Sequence, residues 1–188
     1  MRMDPINLSR QFLIAMPAMA DPIFAKSLVF ICDHNDQGAM GVIVNRPLGM
    51  DMQTLFQQVD IDLQRVDVAE QQIYFGGPVQ TDRGFVLHQP LGNWQSTLAV
   101  EDDLGLTTSK DVLLAVGRGD GPDRMFVSLG YAGWEAGQLE GELAQNAWLT
   151  VAADIEVVFT LPPEQRYEAA LKLLGIDMAM LSDTAGHA

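Results

Sequence analysis

The chain is poor in the residues from which metal, redox and nucleic-acid sites are usually built. It has one cysteine, Cys32, so no internal disulfide can form and no cysteine-rich zinc site can be assembled. Its three histidines, His34, His88 and His187, are scattered, and none is followed by another at ligand spacing. No metal and no cofactor are therefore expected. Basic residues are also scarce: 11 Lys and Arg stand against 25 Asp and Glu, for a formal net charge of −14. No three basic residues lie close together in sequence. Such a field repels phosphate backbones and anionic lipid, so no direct nucleic-acid binding and no membrane association are expected. The apolar run Phe12–Met16 near the N-terminus is too short for a signal-peptide core or a membrane span, which points to the cytoplasm. A Gly-x-Ser-x-Gly elbow is missing, which argues against a serine hydrolase of that type. Gly117-Arg118-Gly119-Asp120-Gly121 lacks the Lys-Ser/Thr of a phosphate loop. It is followed by Pro122 and a strand, where phosphate loops need a helix N-terminus. It reads as a turn.

What remains is globular. At 188 residues the chain fits one domain, expected over residues 1–175, with 176–188 as a loosely held tail. Phe12–Met16 reads as a strand closed by Pro17. Leu28–Cys32 and Ala39–Asn45 read as two strands joined by a polar loop, Asp33-His34-Asn35-Asp36-Gln37-Gly38, in a hairpin. Asp51 is placed to cap a helix running to Val59, with Met52, Leu55, Phe56 and Val59 at helical spacing. Short strands are expected at Gln72–Phe75, Gly84–His88 and Ser96–Val100, a brief helix from Ser109 to Val116, and a strong strand at Arg124–Leu129. A helix is expected at about 136–149, with Leu139, Leu143 and Ala147 as its apolar line. Glu156–Phe159 is ambiguous. Pro162-Pro163 and Gly175 bracket a last helix. Strands joined by hairpin-length loops, without regular βαβ alternation, give an α+β class.

Candidate chemistry concentrates in a few places. His34, flanked by carboxylates, suits acid–base work or a ligand role, but the simpler reading is a polar hairpin loop. Cys32, beside Asp33 and closing an apolar run, is a poor thiolate and a natural core residue. Gly76-Gly77-Pro78 and Gly133 suggest backbone approach that side chains would block. Gly130-Tyr131-Ala132-Gly133-Trp134, followed by Gly137-Gln138-Leu139-Glu140, combines small residues with aromatics. That is the composition of a pocket and also of a tightly packed corner.

These motifs carry a resemblance. Met16-Pro17, Asp21-Pro22-Ile23-Phe24, His34 with Gly38-Ala39 and Gly41, Asn45-Arg46-Pro47, Gly76-Gly77-Pro78-Val79, Gly130–Trp134, Gly137–Glu140 and Asn146-Ala147-Trp148-Leu149 occur in one order. Together they resemble the AlgH/YqgE family of small bacterial proteins, from about Gln11 to the Gly186-His187-Ala188 end. Tyr167 stands where a second late Trp is expected. The resemblance implies a single α+β domain whose bent mixed or antiparallel sheet closes toward a pseudo-barrel, flanked by helices. It brings a family label of transcriptional regulator but no defined catalytic residues. The first functional expectation is a binding or regulatory accessory protein that recognises a protein or small-molecule partner. Its site is expected among His34, Asn45, Arg46, Gly76, Gly77, Tyr131, Trp134, Gln138 and Glu140. The alternative is an enzyme with a cleft near His34, Arg46 and Glu140.

Overall fold

A computed structural model describes residues 7–181. Ten strands run in chain order: β1 (Gln11–Ala15), β2 (Leu28–Asn35), β3 (Gly38–Ile43), β4 (Pro47–Asp51), β5 (Gln72–Phe75), β6 (Val79–Gln89), β7 (Thr97–Glu101), β8 (Leu104–Thr107), β9 (Arg124–Glu135) and β10 (Trp148–Ala152). They are accompanied by the α-helices α1 (Met52–Gln58), α2 (Lys110–Arg118), α3 (Gln138–Ala144), α4 (Glu156–Thr160) and α5 (Pro163–Leu173), and the described residues end in helical conformation at 178–181. A single 3₁₀ turn covers Val66–Val68. The main sheet has the order β10-β1-β2-β3-β9-β6-β8-β7. Its neighbours are antiparallel throughout, while β5 joins β9 in parallel and carries β4 on its other side. The protein is an α+β domain built on a curled, mainly antiparallel sheet.

The period of two along each strand sorts the core. Phe12 and Ile14, Leu28, Phe30 and Cys32, and Val42 and Val44 face one side. Leu13 and Ala15, Val29 and Ile31, and Ile43 face the other. The first side also gathers Phe85, Leu87, Leu104, Leu106 and Phe126 from the far strands. Residues from both ends of the sheet thus share one core, as a curled sheet requires. Helices α4 and α5 close it with Val157, Val158, Ala170 and Leu171. The outer side is covered by α3 over β1–β3 and by α1 and α2 over β5, β6 and β9.

Strand β9 changes phase along its length. Met125 and Val127 face the outer side and Phe126 the inner one, yet farther on Ala132 and Trp134 face outward and Tyr131 inward. The switch occurs at Gly130, whose φ is +77°, and opposite it the pairing with β6 slips between Val79 and Gly84. A glycine bulge of this kind re-aims every later side chain.

Several sequence expectations need correction. The β2–β3 hairpin is tighter than expected, since Asp33–Asn35 continue β2 after a register shift. His34 is therefore a buried strand residue. The helix expected over 136–149 ends at Ala144, Asn146 takes φ +60°, and Trp148–Ala152 pairs with β1. Strand demand from β1 overrides the helical spacing of Leu139, Leu143 and Ala147. The strand expected to end at Leu129 runs on to Glu135, and β8 lies in a stretch with no expected element. Residues 176–181 are held rather than loose, because Ile176 packs on the inner core and Leu181 is buried there. Residues 182–188 of the expected tail, including His187, lie outside the described residues. Asp51 caps α1 as read, its carboxylate accepting from Thr54 N at 2.9 Å.

Candidate functional site

The segments singled out in sequence meet around the middle of β9. Arg46 O accepts from Phe75 N at 2.8 Å, Gly76 O accepts from Ile43 N at 2.8 Å, and Gly76 N donates to Leu129 O at 2.9 Å. This seam is backbone against backbone. A Cβ on Gly76 would stand 2.3 Å from Gly130 O, and one on Gly77 would stand 2.1 Å from the Tyr131 carbonyl carbon. Gly77 also takes φ +154°. These two glycines are required by close approach. Gly133 is not: it has no left-handed φ, it is exposed, and an added Cβ would meet nothing closer than the Tyr131 ring edge at 3.3 Å. The glycine that completes the seam is Gly130.

Asn45 and Arg46 spend their side chains on the segment before β2. Asn45 Oδ1 accepts from Leu28 N at 3.0 Å, and Nδ2 donates to Lys26 O at 3.0 Å. Arg46 donates through Nη1 to Ile23 O and through Nη2 to Ala25 O at 3.0 Å. The segment so held carries Phe24 onto Trp134 and Trp148, with ring centroids 6.1 and 5.8 Å away. The two indoles meet edge to face at 6.2 Å. Both aim their N–H groups at one carboxylate oxygen, Glu142 Oε1, at 3.1 Å from Trp134 and 2.9 Å from Trp148. Gln138 donates to the other oxygen at 3.0 Å and accepts from Glu135 N at 3.0 Å. Glu142 is thus the acceptor that allows two tryptophans to be buried with their polar ends satisfied.

Two residues earlier on α3, Glu140 pairs with His34 Nε2. His34 is buried and its Nδ1 accepts from Leu8 N at 2.9 Å. A ring nitrogen that accepts a backbone N–H carries no proton, so the proton is assigned to Nε2, which donates to Glu140. Both nitrogens are occupied. The alternative enzyme cleft asked His34, Arg46 and Glu140 to converge; His34 and Glu140 do meet, while the Arg46 guanidinium is committed to the Ile23 and Ala25 carbonyls. Cys32 is buried in the inner core, and burial, aided by Asp33, pushes its thiol up to about 12. That makes it a core residue with little thiolate at neutral pH.

On the open side of this seam lies a shallow groove of about 510 Å³ between β3 and β9, lined by Met40, Val79, Tyr131, Gly133 and Trp134, with Gln37 and Glu135 at its rim. Tyr131 is braced from below by Phe85, edge to face at 5.3 Å. Of the expected site residues, Tyr131 and Trp134 line the groove. His34, Asn45, Arg46, Gly76 and Gly77 support it from behind, and Gln138 and Glu140 belong to the helix beside it.

Residues with chemistry that sequence reasoning passed over are Glu142 and Arg166. The indoles at positions 134 and 148, either side of Glu142, were a readable hint of the first. Nothing in the linear sequence announces the second. Among the described residues no group of three or more His, Cys, Asp or Glu is arranged to hold a metal ion, and no helix is long and apolar enough to cross a membrane.

Comparison with known proteins agrees with the motifs. The solution structure of the AlgH protein from Pseudomonas aeruginosa superposes with a TM-score of 0.80, at 50% identity, covering 100% of both chains. A UPF0301 protein of Cupriavidus metallidurans is 60% identical over 184 residues, 98% of this chain and 97% of its own length. Another from Chromobacterium violaceum is 59% identical over 186 residues, covering 99% and 100% respectively. A Corynebacterium diphtheriae crystal structure, 18% identical with a TM-score of 0.69 and covering 97% and 93%, shares the fold. The sequence model described as AlgH-like matches residues 12–179, and the chain belongs to that family.

Proposed function

We propose that this protein is a non-enzymatic accessory protein of the cytoplasm, acting by binding a protein or small-molecule partner in the groove between β3 and β9. One observation carries the reading: the polar atoms placed for chemistry behind the groove are consumed by the fold. His34 uses both ring nitrogens, Asn45 both amide atoms and Arg46 both terminal nitrogens, and Glu142 serves three donors. The groove surface is instead apolar and aromatic, with a few polar groups at its rim, the make-up of a recognition surface. A regulatory effect on transcription would then pass through the partner. Helix α3 carries Glu140 and Glu142 and no basic residue, which suits a major groove poorly.

The test is mild purification from native lysate followed by native mass spectrometry. A co-purifying molecule that is lost from Tyr131→Ala, with the melting temperature unchanged, supports the reading. Turnover of any substrate that depends on His34 and Glu140 overturns it. So does a sequence-specific DNA mobility shift at physiological salt.

A further inference from the structure

The opposite side of the molecule holds a cavity that the groove does not involve. It lies where the parallel pair β5 and β9 begins, under α4 and the start of α5, and has a volume of about 320 Å³. Arg65, Tyr74, Arg124, Phe126, Phe159 and Arg166 give it its character, and Asp123 is the one carboxylate in its lining. In a chain with only 11 basic residues, three arginines line this one cavity.

The arginines differ in their partners. Arg65 forms two bonds to Asp67, at 3.2 and 2.5 Å. Arg124 forms two to Glu156, at 2.7 and 2.5 Å, and lies over the Phe159 ring at 4.8 Å. Both charges are neutralised and both guanidinium planes are fixed. Arg166 is different. It is 6% exposed, and among the described residues no carboxylate lies within ion-pair distance of it. Nε donates to Leu161 O at 3.0 Å and Nη1 to Val44 O at 2.7 Å. Its plane stands 4.8 Å from the Tyr74 ring and 5.9 Å from that of Phe126. A guanidinium has five N–H donors; two go to these carbonyls, and the Tyr74 hydroxyl is a further hydrogen-bond partner. Buried charges in proteins are ordinarily paired. Burial also draws the Arg166 guanidinium below its usual range, with Tyr74 and, more distantly, Glu164 acting in the opposite direction.

We propose that this cavity is a binding site for a small organic monocarboxylate with an aromatic or apolar body, whose carboxylate pairs with Arg166. Arg166, the one of the three arginines with no carboxylate at ion-pair distance, offers a pair to a single negative charge. A dianion such as a phosphate monoester would leave one charge unmatched, next to Asp123. The volume sits near the lower end of the roughly 300–1,000 Å³ typical of ligand pockets, which selects a small molecule over a polypeptide. Phe126, Phe159 and Val158 receive the apolar body.

The experiment is calorimetric titration of the full chain with benzoate, with inorganic phosphate and benzylamine as controls. Saturable one-to-one binding of benzoate is expected, with neither control binding comparably. Arg166→Met should weaken it about tenfold or more, the range for losing a charge-assisted hydrogen bond. Asp123→Asn, at an exposed position that no fold contact depends on, should tighten it. This second variant keeps the test open should Arg166→Met fold poorly. No benzoate binding, phosphate binding as tightly as benzoate, or affinity indifferent to Asp123→Asn each overturns the assignment. None of these outcomes bears on the β3–β9 groove, which is read out separately through Tyr131.

Discussion

The two sides of the curled sheet treat buried polar groups in opposite ways. Over β1–β3, helix α3 brings Glu140 and Glu142 onto one histidine and two indoles, and every donor finds an acceptor inside the protein. At the mouth of the inner core, α5 delivers a guanidinium that bonds backbone carbonyls and stacks on rings but meets no anion. The first arrangement is closed and structural. The second has no carboxylate at ion-pair distance and a cavity in front of it. A side chain rich in chemistry is thus a poor guide to function until its partners are counted. His34 drew attention in the sequence and proves saturated, whereas Arg166 drew none and is a buried cation that forms no ion pair among the described residues.

The largest effect is expected at the seam that joins both sides. Gly77→Ala places a Cβ inside van der Waals contact with backbone that cannot yield, and should cost more than about 4 kcal/mol or prevent folding. Gly133→Ala, three residues beyond the seam glycine Gly130 but with room for a Cβ, should shift the thermal midpoint little. Equal effects at Gly77 and Gly133 would remove the distinction between backbone seam and open strand.

Next in size is the closed side. Glu142→Leu strands two indole N–H groups, each costing about 1–3 kcal/mol when left unpaired, so a loss of several kcal/mol is expected in urea unfolding. Glu142→Gln, which keeps an acceptor, should recover much of it. A Leu variant as stable as the parent would mean that the indoles reach water.

Arg166→Met is the matching change on the open side. It gives up two bonds to carbonyls and the contact with Tyr74 but also removes the desolvation cost of a buried cation, so the two effects partly offset. A net loss of about 1 kcal/mol is expected, well below that of Glu142→Leu. A loss larger than Glu142→Leu would show that Arg166 is a structural strut after all.

The smallest effect is a pH dependence at His88. This ring is fully buried; Nδ1 lies 2.9 Å from Pro90 O and Nε2 2.6 Å from Thr107 Oγ1. Burial lowers its pKa from the ordinary value of 6.5, with the Pro90 bond opposing. The unfolded chain therefore takes up the proton first as pH falls. Stability is full above about pH 6.5 and declines below it by at most about 1.4 kcal/mol per pH unit, levelling off below the folded pKa. Urea midpoints between pH 7.5 and 5.5 should show this slope, and His88→Gln should reduce it. An unchanged slope in the variant would assign the dependence to other groups.

Local rules were legible in the chain wherever the controlling partners are near in sequence. Unbroken apolar runs in β1 and β2 mark strands buried on both faces, Asp51 caps α1 by accepting from Thr54 N three residues on, and Pro163 and Gly175 bracket α5, the latter at φ +74°. The ordered motifs from Met16-Pro17 to Trp148-Leu149 also indicated the family. What the tertiary structure alone decided involves distant partners or a change of phase. His34 bonds residues 26 and 106 positions away, and Arg166 bonds Val44 across 122. Sequence proximity had put His34 in a loop among carboxylates that it does not use. The helical spacing of residues 139–147 was genuine but lost to β1, which supplies β10 with a ladder of hydrogen bonds that an isolated short helix cannot match. At Gly130 a single left-handed residue reverses which side chains face the core. Alternation read straight through β9 therefore assigns Tyr131 and Trp134 to the wrong sides of the sheet.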